Sequence, residues 1–294
     1  KAAIFIKSQF EKWGLLTFQN DYFQSLSFPM NTFPGEMDLI INDSVSLKPF
    51  YEMRVFAGSN SIKGEYELIK IPYSYLTNIR KLKKFNAKNN FSNAIVYFDF
   101  SQASEKKRKK KTFQTQQELA IQNIYGAKGI IIFDNKLNAW GISSGRKTMA
   151  YPVIFIHVDK PNLKPQKAKI NIENKYYPRY KSQNVIGFIK GKTQPDTFLV
   201  FTAHYDHLGM MGNKTYFPGA NDNASGTATV IDLARYYSKP ENQPYYSIAF
   251  MLFTGEEAGL LGSEYYTSNP LFPLKKIKFV FNLDMVGAGE NGIT

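Results

Sequence analysis

Phe198-Leu199-Val200-Phe201-Thr202-Ala203-His204 decides the reading of this chain, because four apolar residues in a row lead straight to an imidazole. Two further runs repeat the pattern. Ile248-Ala249-Phe250-Met251-Leu252-Phe253 is followed within four residues by Glu256 and Glu257, and Phe279-Val280-Phe281-Asn282-Leu283 ends on Asp284. Apolar runs of this length read as strands buried on both faces. Residues 228–237, between the first two runs, carry a helical pattern. Strands separated by helices predict an α/β fold: a mixed, largely parallel sheet flanked by helices. Ligands of such sheets gather outside the carboxyl ends of the strands. His204, Glu256, Glu257 and Asp284 are therefore expected at one crevice, with Asp222 reaching it from the loop Gly219-Ala220-Asn221-Asp222-Asn223.

One imidazole among carboxylates is a donor set for zinc, with manganese or cobalt as substitutes. Two such ions about 3.5–4 Å apart need a carboxylate that reaches both, and Asp222 is placed for that. Glu256 and Glu257 are adjacent, so their side chains diverge at a strand end. One can ligate while the other faces the reacting water as a base.

Four blocks in order carry a resemblance. They are Ala203-His204-Tyr205-Asp206-His207-Leu208-Gly209, Gly219-Ala220-Asn221-Asp222-Asn223-Ala224-Ser225-Gly226, Phe253-Thr254-Gly255-Glu256-Glu257-Ala258-Gly259-Leu260-Leu261-Gly262-Ser263 and Asn282-Leu283-Asp284-Met285-Val286-Gly287. Together they are similar to the two-metal zinc exopeptidase family of secreted aminopeptidases and glutamate carboxypeptidases. The resemblance implies a zinc metallo-aminopeptidase that hydrolyses N-terminal residues from peptides. It puts His204 and Asp284 on a first ion, Asp222 across both, Glu257 on the second and Glu256 as general base. It also makes Asp206 the partner that fixes the His204 ring, and implies a cis peptide at Asp222–Asn223. Two other functions belong to similar folds: glutaminyl cyclase-like acyl transfer with a single zinc, and a non-catalytic binding role.

The family takes a further histidine for its second ion from a strand beyond the aspartate block, and no histidine follows His207 here. His207 itself reads as a loop or pocket-wall residue, and His157 as structural. The second group, Asp222 and Glu257, is thus expected to lack an imidazole and to bind metal weakly, the missing strands lying beyond Thr294.

Away from this core, residues 1–14 read as an amphipathic helix stopped by Gly14, and residues 22–33 as short strand broken by Pro29. The pattern predicts an N-terminal segment, 1–40, packed on the catalytic domain. Residues 41–165 have their own rhythm: strands at 51–56 and 94–100, a helix over 114–125, then Gly126-Ala127-Lys128-Gly129 into Ile130-Ile131-Ile132-Phe133, and later Pro152-Val153-Ile154-Phe155-Ile156. This β-rich stretch resembles the protease-associated module inserted in secreted aminopeptidases. A Lys, Pro and Asn-rich stretch over 160–183 leads into the catalytic domain, taken as 166–294.

Composition limits the alternatives. Hydrophobic residues at 43% with only 21% charged ones describe a folded chain, not a disordered one. Lys and Arg exceed Asp and Glu by 37 to 24, but the excess is scattered lysine. Its densest run, Lys106-Lys107-Arg108-Lys109-Lys110-Lys111, has no interleaved aromatics and reads as a solvated face, so no nucleic-acid partner is expected. The chain has no cysteine, which excludes disulfides and thiolate metal sites. No apolar run reaches the roughly 20 residues that a membrane span needs. The expected setting is bacterial, periplasmic or secreted, with peptide as substrate.

Overall fold

The computed structural model describes residues 1–136, 140–157 and 164–287. The chain divides into two compact units. One is formed by Lys1–Pro29, Pro178–Gly209 and Phe217–Thr294, the other by Met30–Tyr177 and Met210–Tyr216. The boundaries at 40/41 and 165/166 taken from the sequence both fall inside the second unit, as does the short excursion 210–216. The boundary at 29/30 is hidden in the sequence because the strand Phe23–Thr32 runs through it, and the one at 177/178 because the strand Lys175–Ile189 does. Lysine, proline and asparagine in 160–183 therefore mark no linker among the described residues.

The first unit is an α/β structure around a five-stranded mixed sheet. Its order is Phe23–Thr32, Lys175–Ile189, Tyr246–Phe253, Gln194–His204 and Ile277–Asn282. Tyr246–Phe253 runs antiparallel to Lys175–Ile189 and parallel to Gln194–His204, which is in turn parallel to Ile277–Asn282. Tyr246–Phe253 lies inside the sheet and is buried on both faces, which explains its unbroken apolar run. Ile248, Phe250 and Leu252 pack with Ile6, Phe10, Val230 and Ala234, while Ala249 and Met251 face Tyr266 and Phe272. This is the two-residue alternation of a pleated strand. Helix Ala2–Lys12 buries Ala3, Ile6 and Phe10 on its sheet side, and Gly14 follows at φ +67°.

Two strand expectations change in the structure. Pro29 does not break Phe23–Thr32, because this is an edge strand where a missing N–H costs no ladder bond. Ile277–Asn282 was read as buried, yet Phe279, Val280 and Phe281 are exposed. Among the described residues the strand pairs on one side only.

The second unit is built on an eight-stranded sheet. Its order is Val45–Ser46, Met37–Ile41, Lys167–Ile172, Ile62–Lys70, Ala94–Asp99, Gly129–Asp134, Val153–His157 and Met53–Val55. Helices Ile79–Asn86 and Lys111–Ala120 pack through Leu82, Phe113 and Ala120 with Val96, Phe98, Ile130 and Ile132. The helix expected over 114–125 starts and stops earlier. Asn123 accounts for its end: its side chain donates to the Ala127 carbonyl and accepts from the Ala127 N–H, folding 121–127 into a loop. The basic run is not solvated throughout. Arg108 is nearly buried, with two bonds to the Asp134 carboxylate at 2.6 and 3.1 Å and others to the carbonyls of Phe100 and Ala103.

Candidate metal centre

Three parallel or neighbouring strand ends deliver the site. His204 is the last residue of Gln194–His204 and pairs in register with Phe253, while Thr202 pairs with Asn282. The chain segments that follow Phe253 and Asn282 thus leave the sheet beside His204, carrying Glu256, Glu257 and Asp284. Asp222 arrives from the turn Ala220–Ser225 that precedes helix Gly226–Tyr237. The Asp222–Asn223 peptide is cis.

Asn223 ties this turn to the third strand end. It is buried, donates from Nδ2 to the Leu283 carbonyl at 3.0 Å and accepts at Oδ1 from the N–H groups of Gly226 and Met285. Gly226 permits the close approach: a Cβ there would sit 2.1 Å from the Leu283 carbonyl oxygen. Thr227 donates its hydroxyl to the His204 carbonyl at 2.8 Å. Asp222, Asp284 and His204 are therefore held to one another through side-chain and backbone bonds of residues next to them.

His204 Nε2 lies 3.2 Å from Asp222 Oδ1, 3.5 Å from Asp284 Oδ2 and 3.8 Å from Glu256 Oε2. Its other nitrogen, Nδ1, is 3.1 Å from the Asp206 backbone carbonyl and 3.7 Å from the Asp206 carboxylate. The ring is thus oriented first by the Asp206 main chain. The Asp206 carboxylate is used elsewhere, accepting the backbone N–H groups of Glu256 at 3.2 Å and Glu257 at 3.4 Å. Aspartate at this position fastens the loop bearing both glutamates to the strand end bearing His204.

The sequence reads His207 as a loop or pocket-wall residue, and the structure sets its ring beside Glu257. His207 Nδ1 is 2.7 Å from Glu257 Oε1. Gly219 makes room, since a Cβ there would lie 2.8 Å from the His207 ring. Potential ligand atoms of His204, Asp222 and Asp284 cluster within 4.8 Å of one another, and so do those of His207, Asp222 and Glu257. Asp222 is common to both groups. An imidazole thus stands within reach of the second group, which the sequence did not anticipate. The one sequence signal was the spacing His204-Tyr205-Asp206-His207, which does not by itself say where the second ring turns.

The electrostatics of the cluster ask for positive charge. Burial by itself would lower the His204 imidazole, but its contact with Asp206 and the charges of Glu256 and Asp284 outweigh it and raise it to about 9. Burial raises Glu256 above the usual carboxylate range; Asp206, Asp284 and Asp222 add to this against an opposing His204. Glu257 is raised too, by burial and by Asp222, with His207 opposing. Carboxylates whose charged form is disfavoured by crowding and burial are what a divalent cation would relieve. Nitrogen and oxygen donors in two groups with a shared carboxylate fit zinc ions in both. A cavity of about 350 Å³ adjoins the cluster, lined by His204, Glu256 and Asp284 with Met251, Phe253 and Tyr266.

The sequence profile of peptidase family M28 matches residues 184–294, the segment that carries every one of these side chains. Residues 184–294 belong to peptidase family M28. The chain is similar to aminopeptidase YwaD of Bacillus subtilis, 37% identical over 169 residues, which is 55% of this chain and 35% of that protein. It also resembles a zinc aminopeptidase structure from Bacillus subtilis, with 25% identity and a TM-score of 0.60 over 97% of this chain and 63% of the other. The aminopeptidase from Aneurinibacillus sp. strain AM-1 has the same fold, with a TM-score of 0.59 at 22% identity over 98% of this chain and 65% of its own. The chain thus spans about a third of YwaD and under two thirds of these solved structures. The matched segment lies in the first unit apart from Met210–Tyr216, and the α/β fold expected from the sequence is the fold of these solved structures.

Proposed function

We propose that this protein is a zinc-dependent aminopeptidase that uses two metal ions to release N-terminal residues from peptides. The observation that carries the reading is the pair of donor groups, His204 with Asp284 and His207 with Glu257, joined by Asp222 and flanked by Glu256. When bound, the ions supply a Lewis acid that makes water acidic near neutral pH and polarises the peptide carbonyl. Glu256, 3.8 Å from His204 Nε2, takes the water's proton at its carboxylate and returns it to the departing amine. Asp206 keeps Glu256 and Glu257 in register through their backbone N–H groups. Single-zinc acyl transfer would have no use for the second group, and a non-catalytic role would have no use for Glu256 beside the first.

The second unit enters the chain after Pro29 and closes at Tyr177, and we read it as an inserted protease-associated module. Among the described residues no helix is long and apolar enough to cross a membrane. The same reading makes this a bacterial protein working outside the cytoplasm, which fractionation of producing cells tests. Activity is tested by hydrolysis of aminoacyl p-nitroanilides with and without chelator, alongside elemental analysis. Release that persists in chelator with no zinc bound would overturn the assignment.

A further inference from the structure

The net charge of this chain is confined to one unit. Met30–Tyr177 with Met210–Tyr216 carries 25 Lys and Arg against 12 Asp and Glu, while the first unit carries 12 of each. The whole +13 therefore sits on the second unit, and 11 of that unit's basic residues lie on two segments of its helical layer.

Helix Ile79–Asn86 exposes Arg80, Lys81, Lys83 and Lys84, with Lys88 just beyond. Residues 106–111 expose Lys106, Lys107, Lys109, Lys110 and Lys111. Both segments flank the turn Tyr73–Tyr75. Lys107 donates to the Tyr73 hydroxyl and lies 4.6 Å over its ring, Lys81 lies 5.8 Å over Tyr75, and Gln116 of the second helix bonds Thr77 at 3.0 Å. Leu82 and Phe113 anchor the two helices in one core, so their exposed cations stand on one layer. No acidic residue occurs in 71–93, and Glu105, the one acid beside the second run, is paired with Lys136 at 2.7 Å. A hollow of about 420 Å³ in this layer is lined by Ser104, Lys106, Lys107, Lys110 and Thr112, donors suited to a phosphate headgroup.

We propose that this helical layer of the second unit is a docking surface for an anionic phospholipid membrane. Four to eight basic residues on an amphipathic helix beside an acidic bilayer attract it by about 1 kcal/mol each at low salt. Apart from Arg80, the exposed cations of this surface are lysine and not arginine, the residue that reads phosphates and bases bidentately, and Arg108 is engaged by Asp134. Tyr73 and Tyr75 are covered by Lys107 and Lys81 and pack on Phe113 and Phe85, so they offer bases no stacking face. Ile79, 68% exposed at the head of the basic helix, gives the surface an apolar residue to place among acyl chains.

The test is co-sedimentation of the whole chain with vesicles of phosphatidylglycerol in phosphatidylcholine and of phosphatidylcholine alone. It does not depend on the peptidase reading, since it measures partition and no hydrolysis. The chain should partition to the anionic vesicles only, and weaken steeply with added salt. Lys106→Gln with K109Q, K110Q and K111Q should cut partition by roughly tenfold or more. A control with Lys190→Gln, K192Q, K239Q and K275Q, which removes the same charge from the first unit, should leave it unchanged. An unaltered thermal midpoint in both variants verifies folding, because all eight lysines are exposed. Absence of partition at low salt, equal loss in both variants, or tighter binding to an oligonucleotide or polyglutamate than to the vesicles would each overturn the proposal.

Discussion

The carboxylate of Asp206 accepts the backbone N–H of Glu256 at 3.2 Å, while its closest approach to the His204 ring is 3.7 Å. This makes Asp206 a brace between the strand end and the glutamate loop. Asn at this position keeps one oxygen acceptor and sets an amide N–H against the other backbone N–H. Asp206→Asn should therefore weaken zinc affinity by roughly 10–100-fold, read by competition with a chromogenic chelator. Unchanged affinity would mean that the brace is dispensable.

Glu256 is assigned proton transfer and no ligand bond. Glu256→Gln should lower kcat by about 10²–10⁴-fold while zinc content stays at the wild-type value. A variant that loses zinc in step with activity would make Glu256 a ligand.

The His207 ring stands 2.7 Å from Glu257, within reach of the second group. Under the two-ion proposal, His207→Ala should remove the ion at Glu257 and leave the one at His204, as seen by elemental analysis after dialysis. Identical stoichiometry and affinity in the variant would return His207 to a wall role.

The raised His204 pKa has a sign that can be read in the chelated protein. The folded value of about 9 stands above the ordinary 6.5, so the stabilisation it gives is complete below pH 6.5 and is lost as pH rises through 9. Glu256 and Glu257, also raised, act in the same direction at lower pH. The shift corresponds to about 3 kcal/mol. The thermal midpoint of chelated protein should fall by roughly 5–10 °C over that window, and that of zinc-loaded protein should stay level. A level midpoint in chelator, or an undiminished fall in His204→Asn, would contradict this.

In the second unit, Arg108→Met leaves the buried Asp134 carboxylate without its guanidinium. Loss of one partner of a buried pair costs about 3–5 kcal/mol, whereas apolar replacement of both can be nearly neutral. Urea unfolding followed by Trp140 fluorescence in a Trp13→Phe background reports this unit, because Trp140 lies in it and Trp13, the other tryptophan, lies in the first unit. Arg108→Met should shift the midpoint sharply downward and Arg108→Met with Asp134→Leu should restore much of it. A silent single variant would show the pair to be dispensable.

The sequence by itself determined the α/β character of the first unit and five of the side chains at its site. Strands buried on both faces must be apolar without interruption, and in a sheet of this kind the residues at their carboxyl ends meet whatever their separation in sequence. His204, Glu256, Glu257 and Asp284 were legible for that reason, and Asp222 through its Gly-Ala-Asn-Asp-Asn block. Tertiary structure decided the rest. Periodicity carries no information on where a turn points, so only the fold could bring the His207 ring onto Glu257 or give the Asp206 carboxylate to the amides of Glu256 and Glu257. Unit boundaries at 29/30 and 177/178 were hidden because strands run through both. Arg108 looked like its lysine neighbours until packing set it against Asp134, since burial belongs to the neighbours in space and not to those in the chain.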